Sequence, residues 1–188
     1  MPRFLTDREY RVVSAAADRL VPPLATHPGA AALGVADYVD NLLGAFTFDP
    51  PLIFAGGPFS GRFGGEASFP RFIPLSPHEE LAWRTRIEGS RGLPEREFNG
   101  PTRGWQEIYR DGIAALGADF CEVEAVEQER RLDAQRELRS ALYVHACEGA
   151  YGAPEYGGNR DLAGWRAIGW EGDVQPRGYT DDEVSERA

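Results

Sequence analysis

Apolar positions along this chain recur every three or four residues in five stretches, and nowhere alternate with polar ones for long enough to suggest a half-buried strand. Thr6-Asp7-Arg8-Glu9 reads as a capping box, in which the threonine hydroxyl takes an orphan N–H and the glutamate returns to the cap. Val12, Val13, Ala16, Ala17 and Leu20 then keep to one helical face, and Pro22-Pro23 ends the run. After Pro28 and Gly29 a second helix is predicted over roughly 30–46, with Leu33, Val35, Tyr38, Val39, Leu42, Leu43 and Phe46 facing inward against the first. Ser76-Pro77-His78-Glu79 is a second capping box with proline at the first helical position; it predicts a helix over about 77–89 that buries Trp83 and Ile87 and ends at Gly89, Gly92 and Pro94. A further helix is expected over about 102–116, burying Trp105, Ile108, Tyr109 and Ile113, with Gly117 as its cap. The acidic stretch 122–131 reads as a solvated helix or turn in which Val123 and Val126 touch the core. The last long helix, 132–148, turns Leu132, Leu138, Leu142 and Tyr143 inward before Gly149.

The pattern therefore predicts an all-α fold: one helical domain over 1–188, five or six helices, two long glycine-rich excursions and no internal repeat. In the first excursion, 47–75, prolines and glycines are interleaved with Phe48, Phe54, Phe59, Phe63, Phe69 and Phe72, too many large apolar rings to leave in water. It must cover either its own helices or another protein. Its FAGGPFSGRFGG run matches neither dinucleotide nor P-loop spacing and follows no strand. The second excursion, 149–178, carries Trp165 and Trp170, whose indoles need burial and an N–H partner, so it is expected to be ordered; 179–188 is expected to be a flexible tail.

Composition narrows the functions. A net charge of −10 argues against nucleic acid, whose affinity comes mostly from cationic contact. All 20 basic residues are arginine, so Schiff-base and P-loop chemistry, which need a lysine amine, are excluded. No run approaches the length of a membrane span. Cys121 and Cys147 could pair only if the fold brought them together; buried free thiols are the plainer expectation. His145 and Glu148 can share a helix face while Cys147 points elsewhere, a poor metal geometry, and His27 and His78 add no ligand motif. The plain reading of His145 is a helix-end imidazole favoured by the C-terminal dipole or reaching the next loop. No nucleophile elbow or dinucleotide fingerprint appears. The residues thus offer no catalytic, cofactor-binding or metal site. They offer instead an excess of aromatics and glycine, with Arg62, Arg71, Arg160 and Arg166 among them, which is the composition of a partner surface.

Tyr156-Gly157-Gly158-Asn159-Arg160-Asp161, then Gly164-Trp165-Arg166, Ile168-Gly169-Trp170 and Gly172, resemble the C-terminal signature of the gluconate 2-dehydrogenase subunit 3 family. HACEGAYG at 145–152 is similar to that family's helix-end HxxEGxYG segment, and Leu20-Val21-Pro22-Pro23, Pro28-Gly29-Ala30 and Asp37-Tyr38-Val39-Asp40 to its opening. The likeness covers roughly 6–46 and 76–178; 47–75 has no counterpart. The resemblance implies a non-catalytic small subunit that binds, stabilises and helps mature a large subunit of the glucose-methanol-choline (GMC) oxidoreductase superfamily acting on a sugar or glycoside. FAD is then expected in that large subunit and no cofactor in this chain, often with a cytochrome c subunit as electron acceptor. Family members are exported through a twin-arginine signal. None is present here, so a cytoplasmic complex is expected, or a periplasmic one if the chain is a mature form or travels with its partner. The expected interface comprises Tyr156, Gly157, Gly158, Asn159, Arg160, Trp165, Trp170, Phe59 and Phe63. Three alternatives stay open: a freestanding carbohydrate-binding module using Trp165, Trp170, Tyr156 and Asn159, an enzyme in its own right, and a loop that merely closes its own core by inserting Trp165.

Overall fold

The computed structural model describes residues 2–55 and 72–170. Among them are eight α-helices and no strand: α1 Asp7–Leu20, α2 Gly29–Ala32, α3 Val35–Leu43, α4 Pro77–Glu88, α5 Trp105–Leu116, α6 Ala125–Ala134, α7 Arg136–Tyr151 and α8 Ala163–Ala167. Both capping boxes form. The Thr6 and Ser76 backbone N–H groups donate to the carboxylates of Glu9 (2.7 Å) and Glu79 (2.8 Å), which are three residues on.

α7 is the axis of the bundle. α1, α3, α5 and α6 pack around it, and its contact with α3 is the most extensive. A methyl group on Gly149 would sit 2.9 Å from Tyr38 Cβ, so the α3–α7 approach depends on that glycine. The main core joins Val12, Val13, Ala16 and Ala17 of α1 to Val35, Val39 and Leu43 of α3, Tyr109, Ile113 and Leu116 of α5, and Leu138, Leu142, Ala146 and Ala150 of α7. Phe120, in the α5–α6 connection, is fully buried with them. A smaller cluster of Leu42, Ala45 and Ile87 sits under α4, covered by Trp83, Trp105, Leu52 and Ile53. The N-terminal residues are strapped to α3, where the buried Asp40 carboxylate accepts the backbone N–H groups of Arg3, Phe4 (2.9 Å) and Leu5 (2.8 Å).

Several boundaries differ from the periodicity, each for a backbone reason. The helix expected over 30–46 is two, because Gly34 turns left-handed (φ 74°) and re-aims the chain. The helix expected from 102 begins at Trp105. Gly104, extended, crosses so close to the end of α4 that an added methyl would lie 2.2 Å from Gly89 N. The 132–148 helix is divided by Gln135 (φ −102°, ψ 70°): residues before it belong to α6, and α7 runs on through Gly149 to Tyr151. Two inward assignments are corrected with it. Val126 is 77% exposed and Tyr143 is on the outer face; Gln128, donating to Phe120 O, and Leu132 take the α6 core positions, and His145 takes one on α7.

Candidate partner surface and aromatic cleft

The C-terminal segment is locked onto α3 and α7 by one side chain. Asn159, 0% exposed, donates from Nδ2 to Gly152 O (2.9 Å) and accepts at Oδ1 from Gly164 N (3.0 Å) and Trp165 N (3.4 Å), while its own backbone N–H donates to Gly149 O (2.6 Å). A short amide is suited to this because both its donor and its acceptor can be used, and because asparagine tolerates the left-handed conformation seen here (φ 39°). Asp161 and Leu162 are also left-handed, at φ 56° and 58°. Such backbone costs ~1–2 kcal/mol per residue and persists where surrounding bonds hold it. Two glycines make the close approach possible. Cβ atoms would lie 2.2 Å from Gly149 O at Gly158, and 1.9 Å from Ala150 O at Gly164.

The rest of the signature is equally engaged. Tyr156 O accepts from Asn41 Nδ2 (3.1 Å), and its hydroxyl accepts from Ala55 N (2.9 Å). Arg160 donates through its backbone to Leu33 O (3.1 Å) and through Nη2 to Asp37 (2.8 Å). Trp165 is 8% exposed and donates from Nε1 to Tyr151 O (2.6 Å). Trp170, by contrast, is 51% exposed. Asn159 is thus wholly, and Trp165 almost wholly, spent on the chain's own fold. The four residues proposed for carbohydrate stacking do not form one platform. Tyr156, Gly157 and Arg160 retain some surface. Phe59 and Phe63 lie outside the described residues.

Beside the lock is a half-open cleft of about 280 Å³ lined by Tyr38, Leu42, Leu52, Ile53, Trp83, Glu148, Gly152, Ala153 and Tyr156. It lies where the two described ends of the phenylalanine-rich segment meet the bundle. Ala55 pairs with Phe72, and the Phe72 ring stands edge-on to Tyr156 at 5.7 Å. Ile73 and Phe54 are exposed nearby in the chain. At the polar edge Tyr38 donates to Glu148 Oε2 (2.7 Å), and burial, with that bond, raises the phenol far above its ordinary value. A larger open groove near the N-terminus is lined by Arg3, Asp7, Tyr10, Arg11, Asp37 and Asp40, of which Asp37 and Asp40 are occupied. Asp40 holds the N-terminal strap and Asp37 accepts from Tyr10, whose hydroxyl is pushed up to about 12 by burial and by that carboxylate.

Behind the cleft wall lies a buried aromatic cluster. His145 is 1% exposed; its Nδ1 is 3.0 Å from Tyr109 Oη, its ring meets Trp105 edge-on at 4.5 Å, and Trp105 is 6.4 Å from Trp83. Burial, with the nearby Arg86 cation, lowers His145 to about 4, so the imidazole is neutral. This corrects the helix-end reading of His145: α7 runs on to Tyr151, so the imidazole lies inside the helix and in the core, away from the terminal dipole. The cysteines are free, and Cys121 is exposed rather than buried. Among the described residues no group of three or more His, Cys, Asp or Glu is placed to hold a metal ion, and no helix is long and apolar enough to cross a membrane. The cleft itself was not anticipated. Its signal was the pairing of Tyr38 with Glu148 across two helices, which no one-dimensional spacing displays.

Comparison with known proteins gives one match. A family model described as gluconate 2-dehydrogenase subunit 3 matches residues 7–172. No curated protein and no solved structure gives a significant match.

Proposed function

The chain belongs to the gluconate 2-dehydrogenase subunit 3 family, and from that premise we propose that it is a non-catalytic small subunit that binds and stabilises a separate FAD-dependent GMC-type large subunit and aids its maturation. The family is named for one component of a dehydrogenase, which makes partner subunits the natural context. The observation that carries the proposal is the apolar face around the cleft. Phe54 and Ile73 beside it, and Trp170 at the end of the C-terminal segment, are large, exposed side chains on a chain whose Asn159 and Trp165 are already taken up in folding, and exposed apolar side chains of this kind are characteristic of contact surfaces. In this reading Trp170, Tyr156 and the segment bearing Phe59 and Phe63 meet the flavoprotein, FAD stays in that partner, and a cytochrome c subunit completes the electron path. The compartment follows the partner.

Co-expression tests the proposal. With a GMC-type large subunit from the same genome, this chain is expected to raise the yield of soluble, FAD-loaded, active dehydrogenase and to co-purify with it. A flavoprotein equally soluble, yellow and active without the chain overturns the proposal.

A further inference from the structure

The buried aromatic cluster is more than packing needs: three oxidisable rings and an imidazole run inward from the cleft, and the innermost phenol has a base as its hydrogen-bond partner. Trp83 lines the cleft, Trp105 lies 6.4 Å behind it, His145 is 4.5 Å from Trp105, and Tyr109 lies nearly parallel to His145 at 5.8 Å between ring centres. We propose that Tyr109 and His145 form a one-electron redox site, connected through Trp105 to Trp83, that draws an oxidising equivalent from the cleft and holds it as a tyrosyl radical. This goes beyond the subunit reading and does not depend on it.

The oxidant is a strong one-electron acceptor reaching the cleft, of the class of oxygen-centred radicals or oxidised metal complexes. It takes an electron from Trp83 and is reduced. Trp105 refills Trp83, and Tyr109 refills Trp105. As Tyr109 loses its electron, its O–H bond breaks and the proton forms an N–H bond at Nδ1 of His145, leaving a neutral phenoxyl radical beside an imidazolium. A phenol oxidised without a base would have to become a strongly acidic radical cation in a dry core, which is unfavourable. The hydroxyl's described partner is His145 Nδ1, and donation to it leaves no buried hydroxyl hydrogen unpaired.

Electrostatics sets the direction. The Arg86 guanidinium sits 5.4 Å from the centroids of both Trp83 and Trp105 and disfavours a radical cation on either indole. At Tyr109 the proton passes to His145, so the radical itself is neutral and the positive charge rests on the imidazolium rather than on an indole. The same cation, with burial, resists a lasting imidazolium, so the proton returns to the phenol when a reductant refills the site. Tyr38 also has a base, Glu148, and lies 6.4 Å from His145, but it opens to the cleft, where small reductants quench it; Tyr109 is sealed at 0% exposure.

Flash-quench oxidation of the full chain with a photogenerated ruthenium(III) polypyridyl complex, followed by transient absorption and electron paramagnetic resonance, tests this. A persistent neutral tyrosyl signal is expected, formed more slowly in deuterated water, lost in Tyr109→Phe, slowed in Trp105→Phe and retained in Tyr38→Phe. Because Tyr109→Phe alters a buried hydrogen bond, ring-fluorinated tyrosine at position 109 provides a second reading: its hyperfine pattern must replace the native one. A signal that survives in Tyr109→Phe, that ignores fluorination at 109, or that vanishes in Tyr38→Phe overturns the proposal, as does the absence of any tyrosyl radical.

Discussion

Acidification should expose the cost of keeping His145 neutral. Its value falls from 6.5 in the unfolded chain to about 4 in the fold, where burial removes the water an imidazolium needs and the Arg86 cation opposes a second charge. The unfolded chain therefore binds the proton more readily. The contribution is fully present above pH 6.5, declines as the pH falls, and is lost by pH 4. Converted, the depression corresponds to about 3 kcal/mol over the whole window, of which about 2 kcal/mol is lost between pH 7.5 and pH 5. The assay is urea unfolding followed by tryptophan fluorescence at several pH values in that range, on the wild type and on His145→Asn. Asparagine keeps a polar group near Nδ1 for Tyr109 and cannot titrate. His27, His78 and the carboxylates are common to both chains, so their contributions cancel in the difference. The variant should be less stable at pH 7.5 by about 1–3 kcal/mol, for the smaller side chain and the altered bond, but its stability should fall by about 2 kcal/mol less on acidification. Parallel pH profiles for the two proteins would refute the argument.

Trp165→Ala should cost about 3–5 kcal/mol, measured by urea unfolding, because it leaves a large cavity and orphans Tyr151 O, whereas the half-exposed Trp170→Ala should stay within about 0.5 kcal/mol and instead weaken capture of the large subunit in a pull-down. Asp40→Ala removes the acceptor of three backbone N–H groups and should lower stability by about 1–3 kcal/mol, with amide exchange at Phe4 and Leu5 accelerated far more than in α5. Tyr156→Phe leaves the buried Ala55 N–H without its acceptor; a loss of about 1–3 kcal/mol and faster exchange at that amide are expected.

Much of the fold was legible because its determinants are local. The capping boxes at Thr6 and Ser76, the apolar face of α1, and the inward positions of α3 follow from spacing alone. What escaped was set by contacts between distant segments. Gly104 starts α5 late because it crosses Gly89, and Gly34 breaks a continuous apolar stripe because the left-handed turn there lets Arg160 reach Asp37 from 123 residues away. Tyr143 and Val126 match the helical period yet face solvent, since periodicity gives a face and not the angle at which a neighbour meets it. The aromatic cleft and the Tyr109–His145 pair join residues of α3, α4, α5 and α7, and such a site exists only once the helices cross.

The residues that identify the family therefore describe a way of folding before they describe a contact. In 145–152, His145 partners Tyr109, Glu148 accepts from Tyr38, Gly149 admits Tyr38 and offers its carbonyl to Asn159, Tyr151 bonds His27 at 2.9 Å and offers its carbonyl to Trp165, and Gly152 accepts from the Asn159 amide. Within 156–165, Asn159, Gly158, Gly164 and Trp165 complete the same lock from the other side. A partner can feel the buried ones, His145, Gly149, Asn159 and Gly164, only through the shape they impose, whereas Glu148 and Gly152 also line the cleft. Tyr156 is where the two roles meet: its carbonyl and hydroxyl hold the lock and the Ala55 strand end, while its ring lines the cleft and faces Phe72. On the proposed docking, discrimination between large subunits is expected at exposed positions such as Phe54 and Ile73 beside that ring, whose side chains can change without disturbing any of the bonds that close the bundle.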